Sequence, residues 1–172
     1  MQASLLSSIR RKIFISYYHR EDQAYYNALS DKIHDQMDLV FDNSLDRQID
    51  SEDQNYVIQR IRDSYIEGTS CTVVLCGAET FKRRYVDWEI KATLDKQHGL
   101  IGLQLPTLIA GPSGMVTVPE RLHQNIQSGY AVWQSWSALM ASPAIIKSWI
   151  EAAVSSETSM IVNSPSIKER ND

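Results

Sequence analysis

The run Ser70-Cys71-Thr72-Val73-Val74-Leu75-Cys76 constrains this chain more than any other stretch. It is rich in β-branched residues and apolar on both faces of an extended strand, and such a strand has to be covered from both sides. Its neighbours in the chain supply the cover. Strand-like and helix-like segments alternate four times at short intervals, the pattern of a mostly parallel sheet with helices on each face. Crossovers are expected to be right-handed. Cys71 and Cys76 stand five residues apart within the run, so an extended strand points them to opposite faces. A disulfide between them is therefore not expected, and two buried free thiols suit a reducing cytoplasm.

In chain order, Lys12-Ile13-Phe14-Ile15-Ser16-Tyr17 reads as the first buried strand. Asp22 is expected to cap a helix running to about Met37, with Tyr25, Leu29 and Ile33 at helical spacing. Leu39 to Asp42 is a second short strand, followed by a long polar loop from Asn43 to Asp53. A helix from about Gln54 to Glu67 carries Val57, Ile61 and Tyr65 and stops at Gly68. The central strand follows, then a helix, then a fourth strand from Leu100 to Leu105. Beyond Pro106 the periodicity weakens. Tyr130-Ala131-Val132-Trp133 reads as a fifth strand at an edge, and Ser142-Pro143 opens a helix to about Val154. The expected organisation is an N-terminal segment 1–11, one domain 12–154 and a frayed polar tail 155–172.

The formal charge of −4 leaves no basic footprint for nucleic acid. No apolar run approaches the roughly 18 residues of a membrane helix. Near the N-terminus the charges follow the short apolar patch, the reverse of a secretory signal. A cytoplasmic protein is expected, with neither nucleic acid nor membrane as a partner.

The helix after the central strand holds the candidate chemistry. Thr80 to His98 contains neither Gly nor Pro, and reads as one helix with Thr80 as N-cap and Gly99 as its stop. Phe81, Tyr85, Trp88 and Ala92 then share an apolar face, while Arg83, Arg84, Asp87 and Lys91 fall on the far side. Asp87 has Arg83 four residues before it and Lys91 four after, the spacing of surface ion pairs. Glu89 has no such local cation and borders Tyr85 and Trp88. Pressed against aromatic surface, its carboxyl would be partly desolvated and its pKa raised, which suits an acid, a base or a hydrogen-bonding anchor. The alternative is a boundary glutamate that reaches solvent or pairs with a distant arginine.

Ligands of open parallel sheets bind beyond the carboxyl ends of the strands. Those ends are Tyr17-Tyr18-His19, Asp42-Asn43-Ser44 and Gly77-Ala78. Counted from Thr80, Glu89 lies about 13 Å along its helix, so it would face the cleft sideways. The tyrosines read either as cleft residues or as packing with a wet hydroxyl. Arg47 and Gln48 are the loop's best ligand contacts, although an acidic loop is often only solvated. Neither of the usual glycine-rich phosphate loops is present, and no Gly-x-Ser-x-Gly elbow. His19, His34, His98 and His123 are scattered, without metal-ligand spacing, so no metal is expected.

Three stretches together resemble a TIR-like domain. Phe14-Ile15-Ser16-Tyr17 with Asp22 is similar to the family's first box, and Phe41-Asp42 to the strand that opens into its mobile loop. Thr80-Phe81-Lys82-Arg83-Arg84-Tyr85-Val86-Asp87-Trp88-Glu89 resembles the segment in which an aromatic residue stands four before the catalytic glutamate. Its form is that of the TIR-like proteins of the bacterial Thoeris anti-phage system. The resemblance covers residues 12–105; Tyr85-Val86 stands where Trp-Cys is often found.

The resemblance implies a flavodoxin-like α/β fold of four to five strands and cleavage of NAD+ at the nicotinamide–ribose bond. Glu89 carries over as the catalytic residue. Ser16, Tyr17, Tyr18, Asp42, Arg47, Tyr85 and Trp88 are the substrate-binding candidates. NAD+ is then substrate, and no cofactor is expected. The family's cyclic or conjugated ADP-ribose products act as diffusible signals sensed by a separate effector protein, and self-association accompanies activity. Two other readings are a non-catalytic TIR adaptor, in which Glu89 is dispensable, and a nucleoside or nucleotide transferase on the same sheet. His123 and Asn125 read as loop residues that could also line the cleft.

Overall fold

The computed structural model describes residues 10–40 and 53–163. Five parallel strands form one sheet in the order β2-β1-β3-β4-β5: β1 (Lys12–Ser16), β2 (Asp38–Val40), β3 (Cys71–Cys76), β4 (Gly99–Gln104) and β5 (Val132–Ser135). This order is that of flavodoxin-like folds, and it reverses between β1 and β3. Helices α1 (His19–Ile33), α2 (Gln54–Ile61), α3 (Arg84–Asp95), α4 (Glu120–Gln127), α5 (Trp136–Ala141) and α6 (Ile146–Val154) make up the outer layers.

All six residues of β3 are buried, as two-sided coverage requires. Cys71, Val73 and Leu75 join Ile13 and Ile15 against α1 and α6, with Leu29, Ile33, Trp149 and Ile150. On the opposite face Val74 and Cys76 pack with Val86, Ile90 and Leu94 of α3, and Phe14 packs with Val57, Ile61, Trp88 and Ala92. The two cysteines are free, buried and on opposite faces.

Several expected boundaries move, each for a local reason. Helix α1 starts at His19 with Tyr18 as its N-cap. Asp22 therefore lies inside the first turn and is buried rather than capping. Helix α2 continues through a π-helical turn, Arg62–Ile66. The nineteen-residue helix expected from Thr80 is divided. A 3-10 turn, Thr80–Lys82, is followed by extended Arg83 (φ −86°, ψ 118°), and α3 begins only at Arg84. The side chain of Thr80 turns inward to accept from the Gly77 N–H at 2.9 Å, so it caps nothing. At the other end Gln97, not Gly99, takes the left-handed turn (φ 57°). Gly99 opens β4 instead. A Cβ there would lie 2.9 Å from the Ala153 carbonyl carbon, so its bare Cα lets α6 lie close on the sheet.

Helices α4 and α5 go beyond the sequence reading. In α4 the polar residues Arg121 and Asn125 occupy buried positions, which breaks the apolar period that would have announced a helix. Residues 155–163, expected to fray, return to the body of the protein. Met160 and Ile161 pack on the α3 cluster. The Asn125 amide donates to the Val162 carbonyl at 2.7 Å and accepts from the Val162 N–H at 3.0 Å. His123 and Asn125 thus belong to a helix, and Asn125 serves as an internal clamp on Val162.

Candidate active site

The reversal of strand order between β1 and β3 opens a crevice at their carboxyl ends, where such sheets bind ligands. Ser16 ends β1 and pairs in register with Val74. On the same face of β3, two residues earlier, the Thr72 hydroxyl meets the Thr93 hydroxyl of α3 at 2.7 Å. Thr93 in turn donates to the carbonyl of Glu89 at 2.8 Å, one helical turn closer to the crevice. This threonine pair fixes the position of α3 on the sheet. One turn of helix spans about two strand residues, so Glu89 comes to the level of Val74 and Ser16. Glu89 is 3% exposed, and Ser16 is fully buried. With α3 starting at Arg84, Glu89 stands about 8 Å from the helix tip rather than 13 Å.

The residues around it divide by role. Tyr18 lies at the crevice mouth with the Arg83 guanidinium over its ring at 4.5 Å. Arg83 was expected on the far side of the helix; the break at this residue turns it to Tyr18 instead. Tyr85 and Trp88 pack at 5.0 Å between centroids, and the Arg84 guanidinium lies over both rings at 5.2 and 5.5 Å. Trp88 is buried among Phe14, Val57 and Ala92, while Tyr85 packs from the edge of that cluster. Tyr17 points to the other face of β1. It stacks on His19 at 4.2 Å and Tyr26 at 4.6 Å and donates its hydroxyl to Gln23 at 2.9 Å. Asp42 and Arg47 lie outside the described residues.

Asp22 of α1 is seated against the segment that follows β3. The Thr80 hydroxyl lies 3.4 Å from its carboxylate, and Gly77 comes so near that an added Cβ would sit 2.6 Å from Oδ2. Burial, with the neighbouring Glu21, pushes the Asp22 pKa up to about 6.

Asp87 corrects the surface-pair reading. It is buried, and Arg121 of α4 grips it with Nε–Oδ1 2.8 Å and Nη2–Oδ2 3.3 Å, the Arg121 side chain being fully enclosed. Arg121 also donates to Asn163 Oδ1 at 2.9 Å. Lys91 pairs with Asp95 instead, at 3.1 Å. Helix α3 is therefore gripped on one flank by a buried ion pair two residues before Glu89. Among the described residues no cluster of His, Cys, Asp or Glu could hold a metal ion. No described helix is long and apolar enough to cross a membrane.

Comparison with known proteins matches residues 14–109 to the family model described as "Thoeris protein ThsB, TIR-like domain". That span is more than half of the chain, and it contains the carboxyl end of β1, all of β3 and all of α3. The chain belongs to the ThsB TIR-like domain family. Within this family it is similar to a Bacillus cereus (strain MSX-D12) protein named "Putative cyclic ADP-D-ribose synthase ThsB1", with 33% identity over 66 residues. The match takes in 38% of this chain and 34% of the relative, so it spans about a third of that protein's length.

Proposed function

We propose that this ThsB-like TIR domain cleaves NAD+ at the nicotinamide–ribose bond and turns the ADP-ribosyl unit into a cyclic or conjugated signal. That signal switches on a separate anti-phage effector. The observation that carries the reading is the placement of Glu89, an acid enclosed in the protein at the level of the β1 end, beside the switch point of the sheet. The name borne by the Bacillus cereus relative supports the same class of product.

The chemistry suits a buried carboxylate. As the C1′–N bond breaks, its electron pair leaves with nicotinamide, which departs neutral, and the ribose becomes an oxocarbenium-like cation. Glu89 stabilises that charge and accepts a hydrogen bond from a ribose hydroxyl. In a site closed to water the stabilisation is larger, and the cation survives until a nucleophile of the substrate itself, or of an acceptor molecule, reaches C1′. Tyr18 and Tyr85 offer aromatic faces for the nicotinamide or adenine ring. No cofactor is needed, because the leaving group carries its own positive charge. Enclosure of Glu89 also means that the site has to open, so activity is triggered or concentration-dependent. We assign the enzyme to the cytoplasm, in keeping with its free, buried thiols.

The test follows nicotinamide release from NAD+ in phage-infected lysate, with wild type against Glu89→Gln. The variant keeps the size of the side chain and loses its charge. Loss of about 100-fold or more is expected, the scale of removing one preorganised electrostatic group. Equal rates would leave Glu89 a structural residue and favour the adaptor reading.

A further inference from the structure

The buried polar atoms at the crevice that have no hydrogen-bond partner among the described residues include the Ser16 hydroxyl and the Arg83 Nε. An enclosed donor of this kind costs stability unless something fills it, so each calls for an explanation. They are not scattered. Ser16 and Tyr18 share one face of the β1 end, two residues or about 7 Å apart, and the Arg83 guanidinium lies over the Tyr18 ring. The two orphans therefore flank one strip of the crevice, with Glu89 at the Ser16 end.

The Arg83 end has a second feature. Arg83 is the N-cap of α3, and no side chain caps that twelve-residue helix. The first-turn N–H groups of a helix have no intrahelical partners and carry partial positive charge, which favours an anion. The guanidinium adds a full charge and planar donors that match phosphate geometry. Its seat over the Tyr18 ring, 4.5 Å from the centroid, limits where the fork can go before any ligand arrives. This corner lacks a glycine-rich cradle, so a side chain has to supply the phosphate contact that such loops make with backbone.

We propose that Arg83 holds the 5′-phosphate next to the nicotinamide ribose, while Ser16 satisfies its orphan hydroxyl on the ribose beside Glu89. The proposal rests on the NAD+ reading above and specifies how that substrate is oriented. It makes Arg83 a discriminator between phosphorylated and unphosphorylated nicotinamide ribosides.

Calorimetric titration of the full-length chain tests it, on the Glu89→Gln background so that ligand is not consumed. The probes are nicotinamide mononucleotide, which carries the phosphate, and nicotinamide riboside, which does not. The background protein is expected to prefer the mononucleotide by roughly 10- to 100-fold, the range of one charge-assisted contact. Arg83→Gln is expected to erase that preference by weakening the mononucleotide alone. Arg83→Lys retains the charge without the fork and is expected to fall between. Ser16→Ala is expected to weaken both ligands by the same few-fold factor. If Arg83→Gln keeps the preference, or Arg83→Gln and Arg83→Lys weaken both ligands equally, the phosphate assignment is overturned. Binding of neither ligand by the background protein also overturns the phosphate assignment, while the NAD+ reading is judged separately, by nicotinamide release in infected lysate.

Discussion

Replacing Arg121 by alanine removes at least three hydrogen bonds at once and leaves the Asp87 carboxylate inside the protein without its guanidinium. Two of these run to Asp87, at 2.8 and 3.3 Å, and another to Asn163 at 2.9 Å. The Arg121 side chain is fully enclosed and Asp87 nearly so, so water cannot easily take the place of the lost partner. Breaking one side of such a buried pair costs about 3–5 kcal/mol. With an urea m-value of about 2 kcal/mol/M, the unfolding midpoint falls by about 1.5–2.5 M. In a domain of this size the same loss lowers Tm by roughly 6–20 °C. Urea unfolding followed by circular dichroism reads this directly. The decisive comparison is the double variant Asp87→Leu/Arg121→Leu, which removes both charges together. It is expected to recover most of the loss, because the single variant suffers mainly from the stranded carboxylate. A single variant within about 1 kcal/mol of wild type, or a double variant no better than the single, would refute the reasoning. Because Asp87 precedes Glu89 by two residues on α3, Arg121→Ala is also expected to lower nicotinamide release.

Two further outcomes concern the seat of Asp22. Gly77→Ala would bring a Cβ to 2.6 Å from the Asp22 carboxylate; a loss of about 1–3 kcal/mol is expected. Asp22→Ala in the same background is expected to relieve part of it, as differential scanning calorimetry of the two variants would show. The raised pKa of Asp22, about 6 against an ordinary 3.8, means that the folded state binds its proton more tightly than the unfolded chain. This group therefore contributes stability that is complete below about pH 4 and is lost as the pH rises through 6. Asp22→Asn is expected to remove that slope, so that urea unfolding from pH 4 to 6.5 moves steadily in favour of the variant. An unchanged difference across that window would contradict it.

The two-sided apolar pattern of residues 70–76 specified a central parallel strand, and the alternation around it specified the layers. Glu89 was legible as the odd acid of its helix because no cation stood at helical spacing. Asp87 was misread for the same local reason. Arg83 and Lys91 stood at the right spacing in the sequence, while its actual partner, Arg121, is 34 residues away and visible only once α4 packs against α3. Helix α4 escaped because its buried face carries Arg121 and Asn125, polar groups that only a completed hydrogen-bond network makes tolerable there. Tyr17 and Tyr18, adjacent in the chain, were given one role. The alternation of the strand sends the first into a stack with His19 and Tyr26 and the second to Arg83.

By itself, then, the sequence determined the kind of sheet, the strand ends and the one acid of its helix without a cation at helical spacing, because these depend on periodicity and on residues close together in the chain. Tertiary structure alone decided how Glu89 is enclosed, where helix α3 begins and what grips it. Those outcomes depend on burial and on partners from distant segments, and the free energy of a charge is set by what surrounds it rather than by what precedes it.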